Sequence, residues 1–280
     1  MKAMIFAAGL GTRLKPLTDT RPKALVVVAG KPMLEHIILK LKAEGFDEIV
    51  INVHHCANQI LAFLEANNDF GVKIHISDET DHLLDTGGGL DKVTDLLTSS
   101  IEETFHGACN EALEKKEEGV NAQTIAREML ETLQSECYLL HNVDILSNCD
   151  FESLIYYHSH TMNSINATLL VSERKTSRYL LFDEENLLCG WINKDTMETK
   201  PLGFEYEEGK YKEYAYSGIQ VVSPILFCHL PQGKYSIIDF YLSMCHRINI
   251  QCYVQEDLQL LDIGKPESLE KAEEFLKTLG

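Results

Sequence analysis

Short unbroken apolar runs in the first eighty residues are each followed by segments in which apolar positions recur every three to four residues. Residues 3–8 are the first such run and predict a strand. From Pro32 to Glu44 the apolar positions are 33, 34, 37, 38 and 41, which share one face of a helix, and Gly45 ends it. Residues 49–53 predict the next strand and 58–67 the next helix. A third strand, 72–76, follows the turn Asn68-Asp69-Phe70-Gly71. Strands that alternate with helices pair in parallel through right-handed crossovers, so this part of the chain predicts an α/β sandwich.

The alternation breaks after residue 98. Residues 99–136 read as a helical insertion with the charge cluster Glu114-Lys115-Lys116-Glu117-Glu118 and a break at Gly119-Val120-Asn121. Two amphipathic helices are expected there, as an external flap or a contact for a homodimer. Strand 138–141, helix 151–160 and strand 167–172 restore the pattern. Short strands and turns over 177–216 suit a small antiparallel lobe. Strand 219–222, helix 237–247, strand 252–254 and helix 266–279 complete the chain.

Composition narrows the function. The 280 residues carry 25 Lys and Arg against 43 Asp and Glu, a net charge of −18, which opposes binding to a nucleic-acid backbone. An anionic small molecule needs a locally basic pocket, backbone N–H donors or a divalent metal to overcome that field. No stretch reaches 18 apolar residues and the N-terminal run ends early in glycines, so neither a membrane span nor a signal peptide is expected. The eight cysteines lack zinc-ligand spacing and read as reduced thiols of a cytoplasmic protein. His54 and His55, adjacent on a strand, point to opposite faces and do not make a metal pair.

Three constellations carry candidate chemistry. Gly9-Leu10-Gly11-Thr12-Arg13-Leu14 follows a buried strand, and Pro22-Lys23 comes soon after. The glycines let backbone N–H groups approach an anion, while Arg13 and Lys23 supply positive charge suited to a triphosphate. The loop is neither a Walker A motif nor a dinucleotide fingerprint. In Asp85-Thr86-Gly87-Gly88-Gly89, three glycines leave backbone bare, against which a base or sugar can lie, ahead of a helix from Leu90. Asp144 stands just beyond an apolar strand, where open sheets bind ligands, and Asp262 precedes a glycine turn and a Pro-started helix. Together these carboxylates could hold Mg²⁺ over phosphate oxygens.

Ala7-Ala8-Gly9-Leu10-Gly11-Thr12-Arg13-Leu14 with Pro22-Lys23, continued by Val28-Ala29-Gly30-Lys31-Pro32-Met33-Leu34, resembles the signature of the sugar-1-phosphate nucleotidylyltransferases. Thr86 before three glycines is most like the N-acetylmuramate-1-phosphate uridylyltransferases. The resemblance implies a Rossmann-like, mainly parallel open sheet with helices on both faces, of the glycosyltransferase-A-like type. It implies one domain over 1–280: a nucleotide part (1–98 and 137–165), the insertion, a sugar-phosphate part with a β-rich lobe (166–265) and a C-terminal helix (266–280). Ala8, Gly9, Gly11, Thr12, Arg13, Lys23, Thr86, Gly87, Gly88 and Asn142 would hold the nucleoside triphosphate. Asn142-Val143-Asp144 matches the family's Asn-Gly-Asp metal motif, and Asp262 its second metal aspartate, with Arg13, Lys23, Asp144 and Asp262 as the catalytic set. Valine in place of the motif's glycine requires Val143 to avoid positive φ.

On the acceptor side the resemblance points to Glu205, Gly218 and Asp239, with Lys175, Arg178 and Lys194 as candidates for the cation that binds the sugar phosphate. The implied reaction is Mg²⁺-dependent transfer of a nucleoside monophosphate to a sugar 1-phosphate, with UTP and an N-acetylamino sugar phosphate ahead of guanylyl transfer to mannose 1-phosphate or transfer to another hexose 1-phosphate, and with cytidylyl transfer to another phosphorylated alcohol open. A catalytically impaired nucleotide-sugar-binding regulatory protein and a partner-binding protein are the competing classes.

Overall fold

The computed structural model describes residues 1–99, 133, 136–161 and 165–278. Strand β1 (Lys2–Phe6) is followed by the two-stranded ribbon β2 (Val27–Val28) and β3 (Lys31–Pro32), then α1 (Met33–Ala43), β4 (Glu48–Val53), α2 (Ala57–Ala66), β5 (Lys73–Asp78) and α3 (Asp85–Asp91). Next come β6 (Tyr138–Asn142), β7 (Ile145–Ser147), α4 (Phe151–His160) and β8 (Ile165–Ser172). The remainder is β9 (Arg178–Phe182), β10 (Leu188–Asn193), β11 (Glu198–Lys200), β12 (Lys212–Val222), α5 (Ile237–Met244), β13 (Asn249–Val254), β14 (Leu260–Asp262) and α6 (Pro266–Thr278).

Among the described residues ten strands form one mixed sheet in the order β11-β10-β9-β12-β6-β1-β4-β5, with β8 and β13 branching from β12. β1 runs parallel to β4 and β6, and β4 to β5, as crossover connections require. The strand period of two divides the core: Ala3 and Ile5 pack with α1, α2 and α4 on one face, Met4 and Phe6 with α5 and residues 90–97 on the other. The α/β class and the β-rich lobe expected from the sequence are present. The lobe, however, is continuous with the main sheet. β12 pairs through Lys212–Tyr214 with β9 and through Ile219–Val222 with β6, and its register shifts between Tyr216 and Gln220. Gly218 sits in that bend with φ +85°, a conformation glycine adopts without strain.

One expectation changes. The glycine triplet does not precede its helix but lies inside α3, where its bare backbone is packed against the 233–235 segment and the Asn52 and Glu79 side chains. The insertion expected over 99–136 falls almost wholly outside the described residues, and with it the homodimer contact assigned to it. Among the described residues no helix is long and apolar enough to cross a membrane.

A buried polar chain ties α4 to the sheet. Ser223 Oγ donates to the Ile165 carbonyl (2.7 Å) and lies 2.8 Å from His158 Nε2, while Gln251 donates to Thr168 Oγ1 (2.8 Å), which lies 2.7 Å from His158 Nδ1. With the Ser223 proton committed, the network is satisfied when neutral His158 carries its proton on Nε2 and accepts from Thr168 at Nδ1. Burial pushes the His158 pKa down from 6.5 to about 4. Such a group stabilises the fold fully above its unfolded pKa and loses that contribution as pH falls. Stability should therefore decline between about pH 6.5 and pH 4, by up to roughly 3 kcal/mol from this group. Urea melts of the protein and its H158Q variant check this: a variant with the same slope over that window would remove His158 as the source.

Candidate functional site

A cleft of about 500 Å³ opens at the carboxyl ends of β1 and β6, where an open α/β sheet offers its loops to ligands. Ala8, Gly9, Gly11, Thr12, Arg13, Lys23, Thr86, Asn142 and Asp144 all line it. Nine of the residues singled out in sequence thus share one depression. Nothing lies within 4 Å of a Cβ built on Gly9, so its backbone faces open space. Gly11 is different: φ is +62°, and a Cβ there would meet Thr18 at 2.8 Å and the Lys23 stem at 3.1 Å. Thr18 Oγ1 donates to the Gly11 carbonyl (2.8 Å), which holds the turn in that shape.

Asn52 and Glu79, to which no motif points, brace the loop. Asn52 Oδ1 accepts from the backbone N–H of Ala7 (2.7 Å) and Ala8 (3.3 Å), and its amide donates to Glu79 Oε1 (2.7 Å). Glu79 Oε2 accepts from the Leu84 N–H (3.0 Å), so one buried carboxylate couples the β1 loop to the start of α3. A Cβ on Gly89 would lie 2.9 Å from both side chains. The only signal in the sequence was a polar residue, Asn52, inside the apolar run 49–53.

Lys23 and Asp144 form an ion pair, and each side chain is only 13% exposed. The ribbon of β7 and β14 brings the second aspartate alongside: Asp262 pairs with Ile145, and the Ile263 N–H donates to the Asp144 carbonyl (2.8 Å). Asp262 Oδ1 accepts from the Gly264 N–H (2.7 Å). A Cβ on Gly264 would sit 2.5 Å from Arg13 Nη2 and 2.7 Å from Asp262 Oδ1, so the guanidinium and the carboxylate both crowd that glycine. Asp262 thus lies beside the cleft lining rather than in it. Among the described residues no group of three or more His, Cys, Asp or Glu gathers around a common point. Val143 avoids positive φ and is buried, and its N–H donates to the Phe6 carbonyl (3.2 Å). Beneath it His141, pushed down to about 4 by burial, is neutral near pH 7, with Nδ1 2.8 Å from the Asn142 carbonyl.

Other residues sit apart from the cleft lining. Gly87 and Gly88 are buried against the segment 233–235: the Gly87 N–H donates to the Tyr235 carbonyl (2.9 Å), and a Cβ on Gly88 would lie 2.0 Å from the Gly233 oxygen. Thr86 lines the cleft but also accepts from the Ile237 N–H (3.0 Å) at the start of α5. Gly218 lies against Asn142, whose Nδ2 would be 2.9 Å from a Cβ there. Asp239, on the first turn of α5, is paired with Lys200 (2.8 Å). Glu205 is exposed beyond β11, and nothing brings it to the cleft. Of the candidate cations, Lys194 is held by Glu213 (2.7 Å) and Tyr206 (2.6 Å), while Lys175 and Arg178 are exposed.

Residues 2–278 match the nucleotidyl transferase family. Similar proteins include the N-acetylmuramate alpha-1-phosphate uridylyltransferase of Caulobacter vibrioides, 47% identical over 97 residues that cover 34% of this chain and 40% of that protein. A probable mannose-1-phosphate guanylyltransferase 2 of Arabidopsis thaliana is 42% identical over 109 residues, 38% of this chain and 30% of its own length. Each match thus spans less than half of the relative. A putative glucose-1-phosphate thymidylyltransferase from Bacillus anthracis, solved in complex with a sucrose, superposes over 98% of this chain and 94% of its own with a TM-score of 0.69 at 18% identity, a likeness of fold.

Proposed function

The chain belongs to the nucleotidyl transferase family, and from that premise we propose that it transfers a nucleoside monophosphate from a nucleoside triphosphate to a sugar 1-phosphate, with release of pyrophosphate. The substrates in this reading are UTP and an N-acetylamino sugar 1-phosphate of the N-acetylmuramate type. The observation that carries it is the convergence of the Gly9–Arg13 backbone, Lys23 and Asp144 on one cleft in an otherwise acidic protein.

An oxygen of the acceptor's phosphate attacks the α-phosphorus, and the bond from that phosphorus to the pyrophosphate oxygen breaks, so no side chain need become a nucleophile. The bare backbone at Gly9 offers N–H donors to phosphate oxygens without obstruction. Arg13 stabilises the negative charge that builds on the leaving pyrophosphate, and Lys23 bridges the α-phosphate and the incoming phosphate. Asp144 and Asp262 would hold Mg²⁺, which neutralises phosphate charge when bound. On the acceptor side, Gly218 leaves room beside Asn142.

The Arabidopsis relative favours a second reading, guanylyl transfer to mannose 1-phosphate. A pyrophosphate-release assay with Mg²⁺, testing UTP, GTP, CTP, dTTP and ATP against a panel of sugar 1-phosphates, separates the two. Release is expected with UTP and an N-acetylamino sugar phosphate. Release with GTP and mannose 1-phosphate alone would transfer the assignment to the second reading. Nucleotide binding without release across the panel would make the chain a binding protein.

A further inference from the structure

We propose that Lys23 is the resident counter-ion of Asp144 in the free protein, and that a divalent metal takes this carboxylate only when a nucleotide's phosphates draw the ammonium away. The proposal rests on the reading of Asp144 as a metal ligand. Both side chains line the cleft, and at 13% exposure each they are mostly out of water. A carboxylate so placed is costly without a cation, and the Lys23 ammonium supplies one.

Charge decides what happens next. Asp144 faces Lys23, and Asp262 shares the neighbourhood of Gly264 with Arg13, so two carboxylates are offset by two cations. The acidic chain attracts a dication at long range, but its close approach to Asp144 is opposed by the ammonium already there. A triphosphate reverses the balance, because its oxygens attract both the metal and the ammonium. Geometry permits the exchange. The Lys23 Cβ lies against Gly11 in the phosphate loop, so the stem is anchored between loop and carboxylate, and its flexible chain lets the ammonium pivot from one to the other. Metal and nucleotide should therefore bind with positive coupling beyond what shared ligation provides, and by linkage the coupling is reciprocal.

The test reads metal binding, not turnover. Mn²⁺ is titrated into the full chain without nucleotide and followed by the electron paramagnetic resonance of the free ion. K23Q should bind Mn²⁺ about 10-fold or more tighter than the wild type. K23R, which keeps a cation there, should bind as weakly as the wild type, and adding Asp144→Asn to K23Q should abolish the gain. Should K23Q fail to fold, the wild type answers: millimolar Mg²⁺ alone should leave the reductive methylation of the Lys23 amine unchanged, read by peptide mass spectrometry, because the metal does not displace the ammonium without phosphates. Equal Mn²⁺ affinity in folded K23Q and wild type would overturn the exchange, as would Lys23 labelling raised by Mg²⁺ without nucleotide. An active enzyme showing either result loses only this proposal; the K23Q gain in a protein that releases no pyrophosphate would keep the exchange and sink the function.

Discussion

Replacing Asp144 with asparagine is expected to lower pyrophosphate release by about 10³-fold, or about 4 kcal/mol of transition-state stabilisation. The substitution keeps the size of the side chain and removes its charge, so it deprives a metal of a carboxylate and leaves Lys23 without its counter-ion. Some stability should be lost as well, because Lys23 is mostly buried and its partner is gone. The rate must therefore be compared per folded molecule, with a thermal melt in parallel. Activity within 10-fold of the wild type would remove Asp144 from the catalytic set. Loss of activity in proportion to loss of folded protein would reduce it to a structural residue.

Gly88→Ala is expected to destabilise the fold by about 3 kcal/mol, a fall in melting temperature on the order of 5–10 °C. Two effects compete. Alanine improves helix propensity inside α3 by up to about 1 kcal/mol. Its methyl group, however, would lie 2.0 Å from the Gly233 carbonyl oxygen, a backbone atom that can retreat only by moving the 233–235 segment. That segment is pinned to α3 by the Tyr235 N–H on the Leu84 carbonyl (3.2 Å) and the Gly87 N–H on the Tyr235 carbonyl, so the clash wins. Gly9→Ala is the control. Its Cβ meets nothing within 4 Å and its φ is not positive, so the melting temperature should hold while nucleotide affinity falls, because the methyl enters the cleft. Scanning calorimetry and nucleotide titration read the pair. A G88A protein that melts with the wild type would mean the segment 233–235 yields freely.

The sequence alone determined the element types in both flanks of the chain and most of the phosphate loop. Strand and helix periods are local properties, and Gly9, Gly11 and Arg13 occupy a single turn after β1. It also singled out Asp144 and Asp262 as candidates, although 118 positions separate them, because each stands at or just beyond a strand end beside turn residues. Only the tertiary structure decided what these residues face. Gly87 and Gly88 looked like bare surface for a base, since absence of a side chain reads the same whether the space is left for a ligand or for another backbone; here the 233–235 segment fills it. Asn52 and Glu79 carry no spacing signal, because their partners are backbone N–H groups at Ala7, Ala8 and Leu84, donors every residue but proline possesses. The pairing of Lys23 with Asp144 and of Lys200 with Asp239 likewise depends on strand order and register, which long-range packing selects.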